Sequence, residues 1–140
     1  MVQIHQIETI NLVINILIFT IMANIQKGSK VKFTLAVDGN SMGGSSLKDS
    51  DFKLDFYAKE NKNAEPTAYY TVLKADATKD EEDDNTYYMV CDTANLDLGK
   101  IGATLEVTYT DDDTNKQVKE IVTLNTDVTI IEVQQPAAGE

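Results

Sequence analysis

The sequence contains neither arginine nor tryptophan, and it has one cysteine and one histidine among its 140 residues. Without arginine the chain lacks the side chain that most often reads base edges, and its net charge of -11 opposes contact with phosphate groups. A single cysteine can form neither an intrachain disulfide nor a thiolate metal cluster. The composition therefore argues against nucleic acid as a partner and against a structural zinc site.

The positions of the cysteine and the histidine also bear on catalysis. Cys91 follows Met89 and Val90, so we expect it to be a small apolar residue on a strand. His5 precedes the region in which strands can be recognised. That region has no imidazole for a triad, a general base or a zinc site, and we expect no enzyme, no cofactor and no small-molecule substrate.

The first 21 residues are rich in isoleucine and free of lysine, and the stretch from Ile10 to Ile21 is apolar. Asn11 and Asn15 interrupt the apolar run, and no basic segment or small-residue cleavage site accompanies it, so the sequence disfavours both a membrane span and a secretory signal. The spacing of five residues by 3, 4, 3 and 4 positions instead fits the seam of a short coiled coil that assembles several copies: Ile7, Ile10, Ile14, Leu17 and Ile21.

Two other interpretations of this N-terminal arm stay open. The chain can begin at Met22, in which case the arm is translated leader sequence. The β-branched residues of the arm also suit an additional strand.

From Lys30 onward, apolar and polar residues alternate with the period of β-strands. The alternation predicts seven strands, over residues 30–37, 52–57, 69–73, 87–91, 103–109, 118–124 and 128–133. Six side chains are expected to point into the core: Phe33, Leu35, Leu54, Phe56, Leu105 and Val107. The Gly-, Ser- and Asn-rich residues 39–46 are expected to form a turn that buries nothing.

Short strands at regular spacing, with no helix between them, predict an all-β fold: a seven-stranded antiparallel sandwich of immunoglobulin-like type with an apolar N-terminal arm. We expect the arm to cover residues 1–23, the sandwich residues 24–133, and a flexible tail residues 134–140.

Two further patterns are candidate sites. The acidic residues Asp80 to Asp84 and Asp111 to Asp113 suggest calcium, but neither run matches an EF-hand, and a solvated loop is the simpler interpretation.

Two adjacent pairs, Tyr69 with Tyr70 and Tyr87 with Tyr88, should each send one ring inward and one outward. Core packing and ordinary cross-strand contact are the favoured interpretation of these tyrosines. The outward rings also suit contact with a sugar or a protein.

Residues 28–35 (GSKVKFTL) and 47–57 (LKDSDFKLDFY) resemble the opening of immunoglobulin-like domains in phage structural proteins. Residues 98–107 (LGKIGATLEV) with 120–124 (EIVTL) are similar to their closing half. The likeness covers residues 24–133 and is to small head-fibre or capsid-decorating proteins of crAss-like Bacteroides phages, and more distantly to the N-terminal domain of baseplate upper proteins.

This resemblance implies a non-enzymatic virion protein with no catalytic residues to carry over. Its expected partners are capsid or fibre subunits and further copies of itself, assembled through the arm and the sandwich edges. The alternative is a bacterial surface or secreted immunoglobulin-like module that binds glycan or protein.

Overall fold

The computed structural model describes residues 3–9, 15–20, 23–38, 42 and 44–132. These residues form an all-β sandwich of two five-stranded sheets, packed around a shared core. The only helical element among them is a 3-10 turn at Lys74–Asp76. The predicted all-β class and the two-layer architecture are confirmed.

The first sheet has the strand order β1-β2-β4-β8-β7 and is antiparallel throughout. Its strands are β1 (Gln3–Thr9), β2 (Asn15–Thr20), β4 (Lys30–Val37), β8 (Thr86–Asp92) and β7 (Thr78–Lys79). The hairpin β1-β2 joins the sheet along β4, so this part of the N-terminal arm extends the sandwich.

The second sheet has the order β3-β10-β9-β5-β6. Its strands are β3 (Ala23–Gln26), β10 (Lys116–Ile131), β9 (Gly99–Asp111), β5 (Asp51–Lys59) and β6 (Tyr70–Leu73). The pairing of β3 with β10 is parallel, which corrects the expectation of a purely antiparallel sandwich. The first strand of the second sheet in chain order, β3, therefore lies beside its last strand, β10.

The core forms where the apolar faces of the alternating strands meet. The six side chains predicted to face inward are all at most 1% exposed: Phe33, Leu35, Leu54, Phe56, Leu105 and Val107. The Phe33 and Phe56 rings stack across the two sheets with their centroids 5.0 Å apart. The register inferred from period two is therefore confirmed for these strands.

The strand count differs from the prediction, because the described residues form ten strands rather than seven. The sixth and seventh predicted strands are one strand, β10, which continues through a register shift between Asn125 and Thr129. The sequence-based prediction ends one strand at residue 124 and begins the next at residue 128. Thr126 is buried, however, and its hydroxyl donates a hydrogen bond to the Ile101 carbonyl at 2.8 Å, so the inward row is not interrupted.

The loop after β4 also differs from the prediction, because it is anchored by buried residues. Met42, inside the stretch expected to bury nothing, has 0% exposure, as does Leu47. The Asn85 side chain holds this loop by accepting a hydrogen bond from the Leu47 backbone N–H at 2.9 Å. At Gly44, where φ is +89°, a Cβ would lie 2.0 Å from Asp112 Oδ2, so this loop also packs against the β9-β10 turn.

Candidate functional site

The single cysteine is structural in its setting. Cys91 lies on β8 with 0% exposure, as its apolar neighbours predicted. Burial raises the pKa of its thiol to about 12, and Asp92 adds to this shift. Because the thiolate is the reactive form, a thiol held in this state is a poor nucleophile.

The acidic loop, residues 80–84, uses its carboxylates to fix its own backbone. Asp80 Oδ1 accepts hydrogen bonds from the backbone N–H groups of Glu82 at 2.9 Å and Asp83 at 3.1 Å. Asp80 Oδ2 accepts a short hydrogen bond from the Tyr88 hydroxyl. This bond from Tyr88 is the main reason why the pKa of Asp80 is lowered.

The second acidic run is arranged in the same way at the β9-β10 turn. Asp111 Oδ2 accepts hydrogen bonds from the N–H of Thr114 at 3.0 Å and from its hydroxyl at 2.9 Å. Within the part of the chain that the structure describes, no three carboxylate, imidazole or thiol groups are grouped as metal ligands. The two acidic runs therefore act as turn-forming segments here.

Of the two tyrosine pairs, only Tyr87 and Tyr88 differ in burial as period two predicts. Tyr87 is buried and Tyr88 is half-buried, as predicted for neighbours on β8. Tyr69 and Tyr70 are instead 57% and 37% exposed, because Tyr69 precedes β6 and Tyr70 lies at its first position. The prediction that one ring of the Tyr69 and Tyr70 pair points inward is therefore wrong.

A groove of about 340 Å³ runs between β6 of one sheet and β8 of the other. The Lys32 ammonium lies 4.7 Å from the centroid of the Tyr88 ring on its wall. Val90, 51% exposed, and Tyr70 add apolar surface. The groove therefore has an apolar wall, and the Lys32 ammonium on that wall is already in contact with the Tyr88 ring.

A second concavity of about 380 Å³ lies on the outer face of the second sheet, and we call it the Tyr57 site. Its lining comes from β5, β9, β10 and the loop after β5: Tyr57, Lys59, Glu60, Asn61, Lys62, Lys100, Ile101, Gly102, Thr123 and Asn125. Tyr57, Gly102 and Asn125 lie side by side on three neighbouring strands. The paired strands β5, β9 and β10 and the loop after β5 therefore form the Tyr57 site.

Three neighbours contact the Tyr57 side chain, and one of them is Lys59, whose ammonium lies 5.6 Å from the centroid of the ring. The phenol end of Tyr57 covers Gly102, where an added Cβ would lie 2.9 Å from the Tyr57 oxygen. The Tyr69 ring packs edge-on against it with a centroid distance of 6.0 Å. Burial, with a smaller contribution from Tyr69, raises the pKa of the Tyr57 hydroxyl, which therefore stays protonated and able to donate a hydrogen bond.

Three lysines of the Tyr57 site have no carboxylate partner in the part of the chain that the structure describes. Lys53, Lys79 and Lys119 form ion pairs elsewhere on the sandwich. Within the described ranges, Lys59, Lys62 and Lys100 form none, although the chain carries 23 acidic residues. Alternation alone did not reveal this site, because the pairing of Lys59 with Lys100 becomes visible only in the register of β5 against β9.

The five residues predicted as an assembly seam do not form a helix where the structure describes them. Ile7 lies on β1 and Leu17 on β2, directly opposite each other in the antiparallel pair. Because β-branched residues dominate this segment, an extended hairpin competes with a helix of the same spacing. Ile10, Ile14 and Ile21 lie outside the described residues, and the role of the arm in assembly stays a prediction.

No protein-family model matches the chain, and no curated protein matches it. Among the described residues there is also no helix with the length and apolar character needed to cross a membrane.

Proposed function

We propose that this chain is a non-enzymatic structural protein of a tailed-phage virion, a head-fibre or capsid-decorating component of immunoglobulin-like fold. It assembles through its N-terminal arm and its sandwich edges, with capsid or fibre subunits and further copies of itself as partners. The resemblance of residues 24–133 to phage immunoglobulin-like domains supports this proposal.

The strand order is the observation that carries the immunoglobulin-like part of the proposal. Immunoglobulin sandwiches pair strands A-B-E-D in one sheet and G-F-C in the other, with C′ added beside C in the variable type. The order β2-β4-β8-β7 follows the first pattern, and β10-β9-β5-β6 follows the second. The β1 strand and the parallel strand β3 are additions at the outer edges of the two sheets.

The free sheet edges support assembly through the arm. The β7 edge has two residues, and the β3 and β6 edges have four residues each. The β1 edge has seven residues and contains no lysine or proline, the residues that commonly block edge pairing. Of the four edges described, β1 is thus the longest, and it belongs to the arm.

The proposal is tested by supplying tagged copies during infection and measuring their incorporation into purified particles by mass spectrometry. The full chain should be incorporated, and a copy starting at Asn15, which keeps β2 but lacks β1, should not. A copy ending at Glu132 is the matched control and should be incorporated. If the full chain is absent from particles, the virion proposal is wrong, and equal incorporation of the copy starting at Asn15 would rule out β1 as the anchor.

A bacterial surface module that binds glycan or protein is the second candidate function. Tyr69, at 57% exposure, and its contact with Tyr57 favour it, because exposed aromatic rings commonly bind sugars and protein partners. Brief proteolysis of intact cells that express the gene would release its peptides if this alternative holds. Peptides found only in purified particles would support the virion instead.

A further inference from the structure

The Tyr57 site holds together charges that repel each other. Lys59 on β5 and Lys100 on β9 are direct partners in the antiparallel register, so both side chains project from the same face. Like charges at such positions destabilise a sheet. Lys62 and Glu60 line the same concavity, but within the described residues neither Glu60 nor any other carboxylate forms an ion pair with the three lysines. An anion bound among the lysines would remove this repulsion.

The rest of the wall supplies groups that recognise a polar ring. Next to the lysines, the Tyr57 ring is held over Gly102 and against Tyr69. Asn61, Asn125 and Thr123 line the same concavity and offer amide and hydroxyl groups for hydrogen bonds. An aromatic side chain beside a few placed polar groups is typical of small-ligand sites.

The two acidic runs of the protein do not prevent an anion from binding there. The acidic loop and the β9-β10 turn lie at the other end of the sandwich from Lys100. The eleven residue steps of β9 from Lys100 to Asp111 span about 37 Å. At physiological salt, exposed charges more than about 8 Å apart are largely screened from each other. Those distant carboxylates therefore repel an anion at the Tyr57 site only weakly.

We propose that the Tyr57 site binds a carboxylated saccharide, a uronic acid or a similar acidic sugar within a polysaccharide. Lys59, Lys62 and Lys100 pair with the carboxylate, the Tyr57 ring contacts the apolar face of the sugar, and Asn61 and Asn125 bond its hydroxyls. The inference does not depend on a virion location, so the two proposals fail separately.

An acidic protein segment, such as the acidic loop of a second copy, is the competing occupant. Lysines alone would be enough to hold such a segment. The Tyr57 ring and the amide side chains add contacts that suit the mixed apolar and hydroxylated surface of a sugar, so the wall as a whole favours the saccharide.

The test is a nuclear magnetic resonance titration of the full chain with trigalacturonate, with neutral galactotriose of equal length as the matched ligand. Trigalacturonate should shift the backbone amides of residues 57–62, 100–102 and 123–125. The neutral trisaccharide should bind at least about tenfold more weakly, the usual scale for loss of one charged contact. Sodium acetate at matched carboxylate concentration should leave the amides in place.

Three variants and one control locate the binding. Lys59→Glu and Lys100→Glu each place opposite charges across the strand pair, so folding should be retained while trigalacturonate binding falls at least about tenfold. Tyr57→Leu should weaken both saccharides by removing the ring. Lys116→Glu makes the same change in charge at the far end of the same sheet and should bind as the original chain does.

Several results would overturn the proposal. Equal binding of the two trisaccharides would remove the role of the lysines, and acetate shifts as large as those from trigalacturonate would mean simple anion attraction. Absence of binding by trigalacturonate, a glucuronate oligosaccharide and a sialylated trisaccharide would exclude the ligand class. A salt-sensitive dimer, found by analytical ultracentrifugation without sugar and abolished by Lys100→Glu, would assign the site to a second copy.

Discussion

The Thr126 hydroxyl donates a hydrogen bond to the Ile101 carbonyl at 2.8 Å and accepts one from the Val128 backbone N–H at 3.2 Å. Thr126 is 2% exposed, so this one hydroxyl satisfies two backbone groups in the core where the pairing of β10 with β9 shifts register. The long strand β10 therefore depends on a polar side chain inside an apolar row.

Replacing Thr126 with valine keeps the shape of the side chain but removes both hydrogen bonds. We expect Thr126→Val to lower the free energy of unfolding by about 1–3 kcal/mol, the cost of leaving buried polar groups unsatisfied. Urea unfolding measures this. Thr123→Val on the exposed face of the same strand is the control and should change stability by less than about 0.5 kcal/mol. Equal effects at the two positions would contradict the assignment.

A cavity at Leu105 tests the packing between the sheets. Leu105 is 0% exposed, and Leu105→Ala should lower the free energy of unfolding by about 2–5 kcal/mol. Thr108→Ala on the opposite face of β9 should cost far less, because its side chain is outside the core. Unchanged urea unfolding for Leu105→Ala would mean that the register is wrong.

The inward row of β10 contains one carboxylate, Glu120, whose Oε2 atom is buried and has no hydrogen-bond partner within the described residues. Burial raises the pKa of Glu120 in the folded protein. The unfolded chain therefore releases this proton at lower pH, and the folded state loses stability as pH rises from the ordinary glutamate value through the raised one.

The Glu120→Gln variant should consequently gain stability at about pH 7 and lose that gain at about pH 3, where the carboxyl is protonated in both states. Urea unfolding at the two pH values measures the difference. The exposed substitution Glu65→Gln is the control and should show no such dependence. An equal effect of Glu120→Gln at both pH values would contradict a shifted carboxyl.

Calcium is expected to leave folding unchanged. Asp80 and Asp111 already accept hydrogen bonds from their own loops, so binding would have to break those bonds. Thermal unfolding should shift by less than about 1 °C with sub-millimolar calcium. A shift of several degrees would show that the acidic loop or the β9-β10 turn binds the ion.

Period two predicted much of the fold because the strands that carry it have one apolar face. Phe33 and Leu54 lie where alternation placed them. Alternation failed at Thr126, which lies between the predicted strands 118–124 and 128–133, because its hydroxyl bonds to Ile101 within one continuous strand. It failed at Met42 because burial in a loop has no periodic signature.

The arm and the Tyr57 site show what one sequence leaves undetermined. The 3, 4, 3, 4 spacing fits a helix, yet Ile7 and Leu17 face each other as strand partners. That pairing depends on contacts between segments, which spacing along one chain does not report. The same is true of Lys59 and Lys100, which are 41 positions apart and are brought together by the register of β5 and β9.

The parallel pairing of β3 with β10 has a mechanical consequence. Ala23 pairs with Val128 and Gln26 with Ile131, so the two strands run in the same direction. Tension applied between the start of β3 and the end of β10 pulls them past each other lengthwise. The hydrogen bonds between the strands then share the load and must break together, whereas a hairpin pulled apart from its open end loses them one at a time. The sandwich is therefore built to resist stretching along its strands.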